Sequence, residues 1–136
     1  MADNNFDWYK FHEVGCNLYD GGSDEELRTA INRFYYGAFC YARDYLIVNK
    51  IFHNNDLKEK ICSNTGKVHE ATRLIFKEEK KKINPKKGYN VHKYLYNLRE
   101  YRNKVDYDSD ADFNLNFMAR KAKSYSEKIF DIVKNL

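Results

Sequence analysis

The sequence predicts an all-α protein of one domain, an up-and-down bundle of four to five helices. Three observations predict it. Apolar residues recur at spacings of three and four along most of the chain, the period of a helix that buries one face. One proline and six glycines punctuate 136 residues, too few turn-formers for an architecture of many short strands. With 43% hydrophobic and 32% charged residues, the chain can bury a core and is not of disordered composition. Its length fits a single domain.

The first helix is expected from Asp7 to Tyr19, with Trp8, Phe11, Gly15 and Leu18 on one stripe and Gly21-Gly22 ending it. The second carries the strongest local signal. Ser23 and Glu26 have the spacing of a capping box, in which hydroxyl and carboxylate satisfy two orphan amides reciprocally. Asp24, Glu25 and Glu26 also suit the positive end of the helix dipole. Leu27, Ile31, Phe34, Ala38, Ala42 and Tyr45 then keep one face to about Asn49, a rod of about 40 Å.

Residues 50–65 read as irregular, with room for a short helical piece at 56–62. A third helix begins near Lys67, carries Val68, Ala71, Ile75 and Phe76, and runs out into Lys77–Lys82. Pro85 and Gly88 read as a turn. The fourth helix spans about Tyr89 to Val105, with Val91, Tyr94, Leu95, Leu98, Tyr101 and Val105 on one side. Asp106–Asp112 reads as an acidic turn. The last helix carries Phe113, Phe117, Met118, Ala122, Tyr125, Ile129, either Ile132 or Val133, and Leu136.

A net charge of +4 and a pI near 8.8 are compatible with a polyanionic partner without requiring one. Three cysteines, Cys16, Cys40 and Cys62, with no CxxC pair, do not form the framework of a secreted disulfide domain. Reduced thiols and a cytoplasmic location are the expectation. The opening residues MADNNFDWYK lack the basic and apolar regions of a signal peptide, and no apolar run approaches a membrane span. His12, His53, His69 and His92 show no metal-ligand spacing. No Gly-rich phosphate loop, GxSxG or Walker lysine is present.

Arg102 is the unusual residue. It lies four after Leu98 and seven after Leu95, beside the apolar stripe rather than opposite it. A guanidinium keeps its proton and is costly to bury unpaired. Either Asp106, one turn on, pairs with it, or the position is an anion site suited to phosphate.

Two segments resemble the HEPN domain (higher eukaryotes and prokaryotes nucleotide-binding), in particular its small stand-alone prokaryotic branch. One is Ala30-Ile31-Asn32-Arg33-Phe34-Tyr35-Tyr36-Gly37-Ala38-Phe39. The other is Leu98-Arg99-Glu100-Tyr101-Arg102-Asn103-Lys104-Val105-Asp106-Tyr107-Asp108, similar to the branch's R-N-x-x-DY segment. His69 and Phe76 resemble the pattern of its linking helix. The resemblance spans roughly residues 6–133.

It implies a bundle that forms a homodimer, with the arginine motifs of the two copies near each other across the interface. Many HEPN domains are metal-independent ribonucleases, often toxins or defence effectors paired with a small nucleotidyltransferase antitoxin. Their motif is R-x(4–6)-H: the arginine stabilises developing charge on phosphate and the histidine moves protons. Arg102 matches the arginine and Asn103 the polar position after it. No histidine follows; Tyr107, Asp108 and Ser109 stand there. Phenols ordinarily ionise near pH 10, so a tyrosine at that place suits a hydrogen-bond donor or general acid better than a base.

The resemblance therefore implies a catalytic set of Arg102 and Asn103 assisted by Asp106 or Tyr107, with no cofactor and no metal. The expected binding residues for RNA or nucleotide are Arg33, Tyr36, Lys81, Lys82, Lys86 and Lys87. The lysines could equally be a solvated helix end, where cations complement the dipole. Arg33 could instead stack on an aromatic ring or pair with Asp106. His69 is either an ordinary packed histidine or one brought to Arg102 by the fold. A non-catalytic module that binds nucleotide, RNA or a partner nucleotidyltransferase is the alternative. A ligand-free helical dimerisation domain is a third.

Overall fold

A computed structural model describes residues 6–107 and 114–136. Those residues form six helices and no strand: α1 (Tyr9–Gly21), α2 (Asp24–Val48), α3 (Asn55–Ile61), α4 (Lys67–Glu78), α5 (Pro85–Tyr107) and α6 (Leu115–Lys134). The expected all-α bundle is present. The count rises to six because α3, allowed as a short piece within 50–65, is a full helical element.

Local chemistry sets the boundaries. α1 ends where Gly22 adopts φ 76°, with its N–H on the Leu18 carbonyl; only glycine enters that region without strain. Ser23 and Glu26 form the expected capping box, at 3.2 and 3.1 Å. Asn54 caps α3 by accepting from the Leu57 N–H at 2.8 Å. Asn114 caps α6, accepting from the Phe117 N–H at 2.9 Å.

Two boundaries differ from expectation. Pro85 and Gly88 are not a turn but lie in the first turn of α5. Asn84 precedes them and its side chain accepts from the Lys87 N–H at 3.1 Å. Proline at the first helical position has no N–H to leave unpaired. Gly88 is buried because α5 crosses α4 there, and an added Cβ would overlap the Phe76 carbonyl oxygen. At its other end α5 runs through Asp106 and Tyr107 rather than stopping at Val105. Asp108–Asp112 and Phe113, assigned above to an acidic turn and the last helix, lie outside the described residues.

α2 is the centre of the bundle, packed against α1, α4, α5 and α6; α5 also meets α4 and α6, and α1 meets α6. Its buried face runs through Leu27, Ala30, Ile31, Phe34, Ala38, Ala42 and Leu46. Ile75 and Phe76 of α4, Leu95 and Leu98 of α5, and Ala122, Ile129 and Val133 of α6 close over it. α1 approaches closely at Gly15, where an added Cβ would lie 2.6 Å from Phe34 Cε1. His12, read in the sequence only as a histidine outside any metal pattern, is 1% exposed, and its Nδ1 lies 2.8 Å from Ser126 Oγ on α6. Among the described residues no helix is long and apolar enough to cross a membrane.

Candidate phosphate-binding site

Arg102 sits near the C-terminal end of α5, 9% exposed. Its guanidinium carbon lies 5.6 Å from the Tyr35 ring centroid and 5.2 Å from that of Tyr36, both on α2. The aromatic faces offset part of the desolvation of the cation. They do not supply an acceptor. Asp106 approaches, with Nη1 and Oδ2 3.6 Å apart, a loose ion pair beyond hydrogen-bonding distance. The same Oδ2 accepts from Asn32 Nδ2 at 3.3 Å. Among the described residues Arg102 Nε is buried with no hydrogen-bond partner, and so is Arg99 Nε one turn earlier. Two adjacent buried guanidinium N–H groups without acceptors are costly.

α4 contributes His69. Its Nδ1 lies 2.5 Å from Tyr35 Oη, and its ring stacks on Phe39 at 4.4 Å. Burial, then the charges of Arg99, Arg102 and Arg43, lowers its pKa to about 4. Burial pushes the Tyr35 phenol up, against the pull of Arg99 and Arg102. Both groups are therefore neutral at pH 7 and share one proton in their hydrogen bond. In one arrangement Tyr35 donates and Nε2 carries the imidazole proton; in the other Nδ1 donates and Nε2 is a free base.

The remaining expected residues fall in three places. Asn103 and Tyr107 line an open cleft of about 680 Å³ along α5 with Arg99 and Arg102; Tyr107 is 78% exposed. Tyr36 is at the site, under Arg102. Arg33 is not: its guanidinium lies 5.2 Å over Phe11 of α1. Residue 33 is turned about 160° from Tyr35 and about 60° from Tyr36, and its side chain leans to the α1 side. Asn32, not Arg33, meets Asp106. Lys81, Lys82, Lys86 and Lys87 are exposed around the α4–α5 junction. Lys86 precedes Arg102 by sixteen positions on one helix, about 24 Å along its axis. The fold does not bring these lysines to Arg102.

Tyr35, Arg99 and Arg43 were missed. The signal for Arg99 was its position one turn before Arg102, on the same face. Arg43 follows Tyr36 by two turns, a spacing that only matters once α4 is known to lie alongside. Among the described residues no three of His, Cys, Asp and Glu converge as metal ligands. Against known families, curated proteins and solved structures, the chain matches no family model, no curated protein and no solved structure.

Proposed function

We propose that the protein binds the phosphodiester of RNA at Arg99 and Arg102 and acts on it as a HEPN-like, metal-independent ribonuclease, a homodimer serving as toxin or defence effector. One observation carries this reading: a nine-tenths buried arginine whose Nε has no acceptor among the described residues and whose ion pair with Asp106 stays open at 3.6 Å. A structural ion pair of that burial would be expected to close to hydrogen-bonding distance.

In this reading the 2′-hydroxyl attacks the adjacent phosphorus and the bond to the 5′-oxygen breaks, leaving a cyclic phosphate, and the departing 5′-oxygen takes a proton from water to become a 5′-hydroxyl. Arg102 and Arg99 stabilise the charge on the equatorial oxygens. The 2′-hydroxyl proton passes to Nε2 of His69 in the tautomer that donates from Nδ1 to Tyr35. His69 takes the part that the family motif gives to a histidine after the arginine. Asn103 and Tyr107, at the open side, contact the substrate backbone.

A second reading is a non-catalytic module binding RNA, nucleotide or a cognate nucleotidyltransferase. The exposed Tyr107 in place of a histidine favours it. Incubation of purified protein with single-stranded RNA in excess EDTA separates the two. Cleavage is expected, and Arg102→Ala is expected to abolish it with the helical circular dichroism unchanged. Cleavage that survives Arg102→Ala overturns the first reading. Binding without cleavage supports the second.

A further inference from the structure

The solvent face of α5 alternates cations and aromatic rings over its first three turns. Lys86, Tyr89, Lys93 and Tyr96 are all exposed. At about 100° per residue they fall within an arc of about 80°. Val91, Leu95, Leu98 and Arg102 form the buried side of the same helix. Tyr89 is 52% exposed and Tyr96 47%, two turns or about 10 Å apart along the axis. His92 lies 5.9 Å from the Tyr89 ring, tilted by 45°. Arg73 of α4 lies over the Tyr96 ring at 5.2 Å. Apart from these two contacts, both rings look to solvent.

The charge around them is one-sided. Residues 77–93 hold seven lysines, all exposed, against Glu78 and Glu79. Glu79 is turned inward, with Oε2 accepting from the Lys81 and Lys82 N–H groups at 3.2 and 2.8 Å. The ion pairs among the described residues use other cations, so these ammonium groups are uncompensated. Lys77, in the last turn of α4, suits the negative end of that helix dipole. Lys86 and Lys87 do not suit theirs. They stand in the first turn of α5, at the positive end, and that turn has no acidic residue. Cations there oppose the dipole and cost stability. A local rule broken at the surface points to a partner that supplies the missing negative charge.

We propose that the Lys86–Tyr96 face of α5 is a docking surface for single-stranded nucleic acid, with phosphates on Lys86 and Lys93 and bases on Tyr89 and Tyr96. A basic track interleaved with open aromatic rings binds a single strand by backbone contacts and base stacking together. The spacing of the rings matches about three nucleotides at a stacked rise of about 3.4 Å. A duplex keeps its bases stacked on one another and leaves the rings unused. A second copy of the chain on this face would set like charges against each other. An anionic membrane favours Leu, Phe or Trp for insertion, and the face carries only tyrosine. The surface lies on the side of α5 away from Arg102, so it stands independently of the phosphate site there.

Fluorescence anisotropy of the full chain tests it, with a labelled eight-nucleotide 2′-O-methyl RNA that cannot be cleaved through the 2′-oxygen, as single strand and as duplex. The single strand is expected to bind more tightly than the duplex. Tyr89→Ala and Tyr96→Ala should each weaken the single strand about fivefold or more and leave the duplex unchanged, while Tyr89→Phe and Tyr96→Phe retain affinity. Lys86→Gln together with Lys93→Gln should make the slope of log affinity against log salt shallower by about 1.4, from about 0.7 per phosphate. All four positions are exposed, so helical circular dichroism should not change. The same losses are expected in an Arg102→Ala background. Tyrosine changes that leave single-strand affinity intact overturn the surface, as does a duplex bound as tightly as the single strand. Tyrosine changes that alter only the oligomeric state in light scattering also overturn it, in favour of a second copy. Preference for phosphatidylserine vesicles over the oligonucleotide overturns it in favour of a membrane. If the tyrosine losses appear and no RNA is cleaved, this surface stands and the ribonuclease reading falls.

Discussion

Acidification is expected to weaken the contact between α1 and α6 through His12. The ring is almost wholly buried, with Tyr9 and Phe34 at 5.0 and 5.1 Å and Phe130 at 5.9 Å. Burial, with a smaller push from Lys123, lowers its pKa to about 4. Glu127, 3.9 Å from Nε2, would favour the imidazolium, but its carboxylate is half exposed and screened by water. In the unfolded chain the group titrates near 6.5. The unfolded state therefore binds the proton first as pH falls. Stability due to His12 is full above pH 6.5 and is lost progressively down to pH 4. The gap, at about 1.4 kcal/mol per pH unit, amounts to about 3 kcal/mol, a large share of the 5–15 kcal/mol of an ordinary domain. Urea unfolding at pH 7, 6, 5 and 4 on the native chain and His12→Asn measures it. Asparagine keeps a polar atom near Ser126 Oγ but cannot titrate. The variant is expected to be weaker at pH 7 and to lose about 3 kcal/mol less on going to pH 4. If the two chains lose stability in parallel with pH, the burial argument for His12 is wrong.

Two further outcomes follow from the packing and the site. Gly15→Ala should destabilise the fold by about 1–2 kcal/mol in chemical unfolding. The Cβ meets the fully buried Phe34 ring at 2.6 Å, and overpacking of that kind costs about 1–3 kcal/mol against a helix-propensity gain of about 1; a stabilised variant would show that α1 shifts freely. The His69 imidazole, followed by nitrogen-detected NMR, should titrate near pH 4 in the free protein and move upward when inorganic phosphate is added, because the anion offsets Arg43, Arg99 and Arg102. An imidazole that titrates identically with and without saturating phosphate counts against an anion among those arginines.

Much of the scaffold was legible before any coordinates. The capping box at Ser23 and Glu26, the stop at Gly22 and the long apolar face of α2 are decided by hydrogen bonds and spacings within a few residues, so the sequence contains them directly. Pro85 and Gly88 were misread as a turn because both residue types punctuate chains, and only the crossing of α4 over α5 shows that Gly88 serves a close approach. Arg102 stood out because its register beside the Leu95 and Leu98 stripe implies partial burial. Its company did not. Tyr35, His69 and Arg99 belong to three helices, and no local signal joins them. Arg33 was expected with them on the strength of nearby Tyr35 and Tyr36, yet two positions along a helix turn a side chain to about 160° from Tyr35, and the guanidinium lies over Phe11 of α1.

Taken alone, then, the chain determined most of the helical segments, the apolar face of each, and that one guanidinium lies at the edge of such a face. The tertiary structure alone decided which faces meet. Helical periodicity orients a side chain about its own axis, whereas the choice of neighbour comes from how ridges and grooves of whole surfaces fit. That fit places α4 beside α2 and α5, and so sets His69 and Arg43 against the arginines of a helix distant in sequence.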